Sequence, residues 1–332
     1  MVKRGFVFAG LVAVIVSGAV YFLQSATSPP KGDPFKITMH LWPGYYHSFI
    51  AKEKGFFAEE GVNVELAIVE DIDANLQAFI DGKADAAFGL QSDAMLLAAG
   101  GIPVKIVYVV DYSNGGDVVI SQPSIRTISD LKGKRIGVDK LNGFNHVFIA
   151  ELLQLNGLTE SDVEIMAVVA SNVPKALAEG WLDAGQTWEP YTSQALANGF
   201  RLLASTADAP GIVTDVLMVK TDVLSRRKSE IRGVLKGLFR ALEYRETNES
   251  DAYAIMSAAT GVAPGKLKDV IKWGNIFPDL QANKAAFRPT DDPMSLHSSG
   301  KFISDFFQSH GLISGPVDLK SVIDYEVIDD IK

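Results

Sequence analysis

The chain repeats itself, and that repetition limits its folds more than any other feature. His47-Ser48-Phe49-Ile50-Ala51 and His146-Val147-Phe148-Ile149-Ala150 share the pattern H-x-F-I-A, 99 positions apart. At the same offset Ile37 answers to Ile136, Gly44 to Gly143, and Val64-Glu65-Leu66 to Val163-Glu164-Ile165. Each copy then reaches an acid–Gly–x–x–Asp–Ala turn, Asp81 to Ala86 in the first and Glu179 to Ala184 in the second. A glycine after the last periodic residue is an expected helix stop. Chance does not easily keep four landmarks in register. Generic βα units that merely resemble one another would lead to the same fold class.

Each copy, 35–110 and 134–205, reads as three β-loop-α units. In the second copy the strand is 135–138, the loop 139–145, and the helix begins near His146. Asn142 and Gly143 stand just before its apolar run, a helix-start signal. Further helices are expected at 74–80 and 173–178. Strands alternating with helices of this length imply parallel-rich sheets flanked by helices. Ligands of such sheets bind beyond the C-terminal strand ends. The loops therefore pair as 42–46 with 141–145, 70–73 with 171–172, and 89–92 with 187–190. Two crossings, 115–121 and 212–220, would join the copies as hinges. From Ser229 the pattern is mostly helical, at 231–244, 251–259, 264–273 and 295–308. These helices are expected to pad the first lobe and brace the hinge, with a last strand or turn at 317–325.

At the N-terminus Lys3 and Arg4 precede an uncharged run, 5–23, and a Ser/Pro-rich linker. Positive charge ahead of an apolar run keeps that end cytoplasmic and sends the rest across the membrane. Ser17-Gly18-Ala19 offers a cleavage site for a signal peptide, while the run is also long enough to anchor in a bilayer. Either way the body is expected outside the cytoplasm, as a soluble periplasmic protein or one tethered to the inner membrane. The expected division is 1–34 for signal peptide or anchor plus linker, 35–118 with 216–332 for lobe I, and 119–215 for lobe II. A net charge of −9 without a large basic cluster disfavours nucleic acid as a partner. The absence of cysteine excludes disulfides, thiolate metal sites and a lipid-modified N-terminal cysteine.

Several stretches resemble one known family. They are Ile50-Ala51-Lys52-Glu53-Lys54-Gly55-Phe56-Phe57, Glu60-Gly61-Val62, Gly82 with Asp85-Ala86, 128–138 (ISDLKGKRIGV), and Trp188-Glu189-Pro190-Tyr191. Together they are similar to the solute-binding proteins of ABC importers for nitrate, alkanesulfonates, taurine and thiamine pyrimidine precursors. The resemblance covers about residues 35–250. It implies a two-lobed type II periplasmic-binding fold, capture of a small solute in the interlobe cleft, and delivery to an ABC permease and its ATPase. The fungal branch of the family includes an enzyme that makes the thiamine pyrimidine from its own histidine, with a cysteine-rich iron motif. This chain has no cysteine, so that activity is not carried over and no cofactor is expected.

The candidate ligand-binding residues follow from the paired loops: Trp42, Tyr45, Tyr46, Gln91, Ser92, Tyr112, Asn142, Gly143, Phe144, Asn145, Trp188, Glu189 and Asp215. The aromatics offer walls for a flat ligand, with core packing as the competing role. Glu189, at a Pro-initiated helix start, is either a clamp for a ligand N–H or ammonium or a partner of the helix dipole. Gln91 is its counterpart in the first copy. For Asp111, Asp117 and Asp215, a clamp competes with a solvated or hinge role. Lys140 is the one cation in the pocket loops, which turns the expectation toward an amine, pyrimidine or other heteroaromatic. The helix starts would suit a sulfonate or nitrate instead. Sulfonate binders of the family commonly carry small hydroxyl residues at the second-lobe helix start, where this chain has Asn142 to Asn145. No catalytic or metal-binding motif emerges. His47 and His146 read as caps or packing groups, and His40, His297 and His310 have no ligand-like spacing. A membrane-tethered sensor serving a signalling partner is the alternative role.

Overall fold

The computed structural model describes Tyr21–Phe22 and residues 33–332. The leader expected within 1–34 lies almost wholly outside the described residues. Among the described residues, no helix is long and apolar enough to cross a membrane.

The strands in chain order are β1 (Tyr21–Phe22), β2 (Phe35–Met39), β3 (Val64–Ile68), β4 (Ala86–Leu90), β5 (Val104–Ser113) and β6 (Val118–Ser121). They continue with β7 (Arg135–Val138), β8 (Glu164–Ala167), β9 (Ala184–Thr187), β10 (Arg201–Ser205), β11 (Thr214–Lys220) and β12 (Asn275–Ile276). Two sheets result, in the orders β1-β3-β2-β4-β11-β5-β12 and β10-β6-β9-β7-β8. Read from its other edge, the second repeats the first as β8-β7-β9-β6-β10.

The register repeats as well. Ile37 pairs with Leu66 and Ala86 in parallel, and Ile136 pairs with Ile165 and Ala184. The Asp of each glycine turn explains why that motif recurs. Asp85 Oδ2 accepts from the Lys36 amide, and Asp183 Oδ2 from the Arg135 amide, both at 2.9 Å. Each carboxylate thus ties the strand it precedes to the first strand of its own copy. Arg227 reinforces the first tie at 2.8 Å, and Arg135 itself grips Asp183 through Nε and Nη2 at 3.0 and 3.2 Å.

Inside each copy the strands are parallel, as expected. The crossing strands run antiparallel: β11 against β4 and β5, and β6 against β9 and β10. They enter each sheet from the other lobe, so their direction is reversed. β4 and β5 are buried along almost their whole length, as befits strands covered on both faces.

The helix expected from His146 starts two residues earlier, at Phe144–Leu155. The C-terminal helix Leu296–Ser309 departs further from expectation. It does not simply pad the first lobe. Ile303, Phe306 and Phe307 enter the apolar cluster of Val147, Phe148 and Leu152 on the second lobe, which also takes Met95 from the first. This helix therefore spans both lobes. The last segment forms a short helix, Leu319–Val322, with a single bridge from Ile323 to Ile106 in place of a strand.

Removing the Asp183 carboxylate leaves the Arg135 amide and guanidinium without their acceptor. Asp183→Ala is expected to lower stability by about 1–3 kcal/mol at pH 7 in urea unfolding. The Arg135 side-chain hydrogen bond leads in holding the Asp183 carboxyl below its usual range. Its stabilisation is thus present above the unfolded pKa of about 3.9 and lost as pH falls through the lower folded value. The gap between variant and parent should close in acid; equal midpoints at pH 7 would contradict the tie.

Candidate functional site

The first-lobe loop ends in a single helical turn, Pro43–Tyr46, with proline at its first position, where a missing N–H costs nothing. This turn sends Tyr45 inward. Its ring stacks on Phe88, with centroids 5.0 Å apart and planes 13° apart, and its hydroxyl donates a short hydrogen bond to Asp215 Oδ1. Asp215 sits directly across the ladder from Asp111, and both are buried. Val110 is the extra residue of a bulge next to this pair, a device that re-aims side chains near functional sites.

Two carboxylates facing each other on neighbouring strands repel when both are ionised. Burial, followed by the charge of Asp111, raises the Asp215 carboxyl well above its ordinary range. Burial likewise raises Asp111, and the Asp117 charge adds to this. The Trp42 N–H and Arg245 oppose that shift without cancelling it. The pair therefore holds protons that an isolated carboxylate would release.

Asn275, with its amide nitrogen turned toward Asp111, donates to Oδ1 at 2.9 Å. Asp111 Oδ2 and Trp42 Nε1 are buried and face each other without a tight hydrogen bond, and neither has another partner among the described residues. Both converge on Gly44, where a Cβ would overlap the Asp111 carboxylate and lie 2.7 Å from Trp42 Nε1. Glycine is required here by close approach, since the turn itself is ordinary.

The hinge supplies a third acid. Asp117 accepts from Ser113 Oγ at 2.7 Å and from Gln186 Nε2 of β9 at 3.0 Å. Burial pushes it up to about 6. Thr206 Oγ1 joins Ser113 Oγ at 2.9 Å and takes the Gly115 amide. All three aspartates are buried, so the solvated role weighed for them from sequence does not hold.

In the second lobe, Asn142 takes a left-handed φ of 65° and its N–H donates to His146 Nδ1 at 3.1 Å. Asn145 is buried and accepts from the Lys140 and His146 amides, which fixes the loop. Gly143 closes the turn on Lys140 O at 3.1 Å, and Phe144 packs on the second-lobe core. Lys140 reaches the first lobe, pairing with Asp73 at 2.7 Å.

The other sequence-derived residues scatter. Tyr46 packs on Phe49 inside the first core, and Tyr112 donates its hydroxyl to Met294 O at 2.8 Å. Gln91 is bound to the C-terminal helix, donating to Leu296 O at 2.6 Å and accepting from Ser299 Oγ at 2.9 Å. Ser92 is buried one residue on. Trp188 is half-buried, while Glu189 is exposed and caps its own helix through Ser193. Sequence reading weighs Asp111 as a clamp but leaves it outside the candidate set, although an acid directly after the apolar run 104–110 is a signal. Asn275 had none, because it comes from a two-residue strand far along the chain.

The close approach at Gly44 gives a direct check. Gly44→Ala should lower the unfolding midpoint. Asp111→Ala in the same chain should recover part of the loss, giving the non-additive energy expected of touching groups, about 0.5–3 kcal/mol. Additive effects in urea unfolding would contradict the contact.

A 4-amino-5-hydroxymethyl-2-methylpyrimidine phosphate synthase of Uromyces fabae is 31% identical over 151 residues, covering 45% of this chain and 43% of the synthase. A Haemophilus influenzae protein provisionally assigned to thiamine biosynthesis is 25% identical over 296 residues, covering 86% of this chain and 88% of its own. The periplasmic aliphatic sulphonate binding protein SsuA from Escherichia coli superposes with a TM-score of 0.70 at 18% identity, covering 88% and 92% of the two chains. That likeness establishes the two-lobed periplasmic-binding architecture. A family model described as NMT1/THI5 like matches residues 42–252, more than half of the sequence, and the chain belongs to that family.

Proposed function

We propose that this chain is an extracytoplasmic solute-binding protein. Its lobes, 35–118 with 216–332 and 119–215, close on a small solute bearing a basic or N–H-rich heteroaromatic group, and pass it to an ABC permease and its ATPase. The charged-then-apolar start supports export, and the SsuA-like architecture supports binding and delivery in preference to turnover. One observation carries the ligand class: Asp111 and Asp215 face each other, buried, where both cannot ionise without repulsion. A cation placed against them would favour their ionised forms, the opposite-charge effect that lowers a carboxyl pKa. An anion would meet acids there. The pyrimidine synthase and thiamine-biosynthesis relatives point the same way, since an aminopyrimidine combines a flat ring with N–H donors.

The Trp42 ring and the Gly44 turn form one wall of the proposed site, and the Asn142 to Asn145 loop the facing one. Glu189, engaged with its own helix start, lies outside the proposed clamp. The helix starts near Pro43 and Phe144 favour an anion, which keeps a sulfonate as the competing ligand.

A thermal-shift panel separates the two. Amines, pyrimidines and related heteroaromatics at about 100 times their Kd should stabilise the protein by about 2.7 kcal/mol. Sulfonates, taurine and nitrate should not. In Asp111→Asn the cation response should weaken by about 1.5–3 kcal/mol, the worth of a charge-assisted hydrogen bond. Stabilisation by sulfonates alone would overturn the ligand class, and conversion of the added compound would overturn binding without turnover.

A further inference from the structure

We propose that His146, Glu160 and His310 form a binding site for one divalent transition-metal ion of the zinc class, which would join the C-terminal helix to the second lobe. The three residues come from separate segments: the helix Phe144–Leu155, the turn Glu160–Asp162, and the residue ending Leu296–Ser309. In the sequence His310 has no ligand-like spacing; the fold brings the three side chains together. One ligand atom from each of the three lies within 4.8 Å of the others. His146 Nε2 is 2.6 Å and His310 Nε2 3.2 Å from the same oxygen, Glu160 Oε1. Two imidazoles and one carboxylate are a donor set suited to zinc, with a fourth position left for water. His146 is nearly buried, while Glu160 and His310 are partly exposed, which leaves a route for the ion.

The surroundings orient the ligands. His310 Nδ1 lies 2.8 Å from the Phe306 carbonyl. A carbonyl only accepts, so Nδ1 carries the proton and Nε2 of the neutral ring carries its lone pair. This carbonyl–histidine arrangement is the usual outer support of a metal ligand. Phe306 also holds both rings, stacked on His310 at 4.0 Å and edge-on to His146 at 5.0 Å. The His310 lone pair thus faces a carboxylate oxygen, acceptor against acceptor. A cation between them is required for attraction, either a proton on Nε2 or a metal.

His146 links this site to the ligand loop. Its Nδ1 accepts the Asn142 N–H, so in the metal-free ring the proton sits on Nε2. Coordination through Nε2 moves that proton to Nδ1 and breaks the Asn142 bond, with no net change in the proton count of the ring. Metal binding therefore acts on the loop 142–145 of the proposed cleft as well as on the joint between the lobes.

The test uses the full chain without a histidine tag, stripped with chelator and titrated with Zn2+ by calorimetry. One ion per chain should bind, with Mg2+ and Ca2+ inactive. His310→Ala and Glu160→Gln should each weaken Zn2+ binding about ten-fold or more, while His297→Ala should not. If a ligand variant folds poorly, Co2+ loading of the parent decides the matter through visible absorption of a low-coordinate site. Nitrogen NMR should show the His146 proton shifting from Nε2 to Nδ1. No binding, unchanged affinity in both ligand variants, or a His146 tautomer unmoved by Zn2+ would overturn the proposal.

Discussion

Two buried carboxylates set opposite each other are the constraint around which the proposed site is arranged. Asp111 and Asp215 share a ladder position on β5 and β11, and neither can ionise freely beside the other. The molecule manages this without a local neutralising pair. The Tyr45 hydroxyl takes one acid, the Asn275 amide the other, and Asp117 is spread over Ser113 and Gln186 at the hinge. What remains is one carboxylate oxygen and one indole N–H, buried and loosely facing each other over a glycine. Most buried polar groups are paired, and a donor and acceptor that face each other without a tight bond are a pair that a proposed ligand could take over.

The duplicated fold brings these groups together. Each copy ends its third strand where a crossing strand from the other lobe comes alongside, so the crossings and the strand ends coincide. Asp215 on one crossing and Asp117 at the start of the other therefore lie buried where the lobes are joined. In the proposed site, closure and ligand contact would share the same residues, which is how a binding event could be transmitted to the relative position of the lobes. Lys140 with Asp73 adds a solvated interlobe pair, worth little alone. The C-terminal helix adds a larger contact, because its aromatic stripe is buried against the second lobe.

Much of this was legible in the sequence. The offsets from Ile37 to Ile136 and from Asp85 to Asp183 are realised as matching strand registers and matching carboxylate ties. Periodicity and turn residues encode such local geometry directly. The site was less legible. Tyr45 and Asp215 meet, but the chain gives no local sign that Tyr45 points at a residue 170 positions away. Gln91 looked like a loop donor, yet its amide is bound to a helix that sequence alone did not place beside it. The His146–Glu160–His310 cluster was invisible for the same reason, since its three segments converge only through the C-terminal helix.

The central claim is that the cleft selects positive or N–H-rich solutes through its buried acids. The most direct measurement is mass spectrometry of the small molecule released on denaturing protein purified gently from cells of its own host. The account predicts a compound with a basic nitrogen or an amino-substituted ring. A sulfonate, or another strong acid lacking such a group, would contradict it.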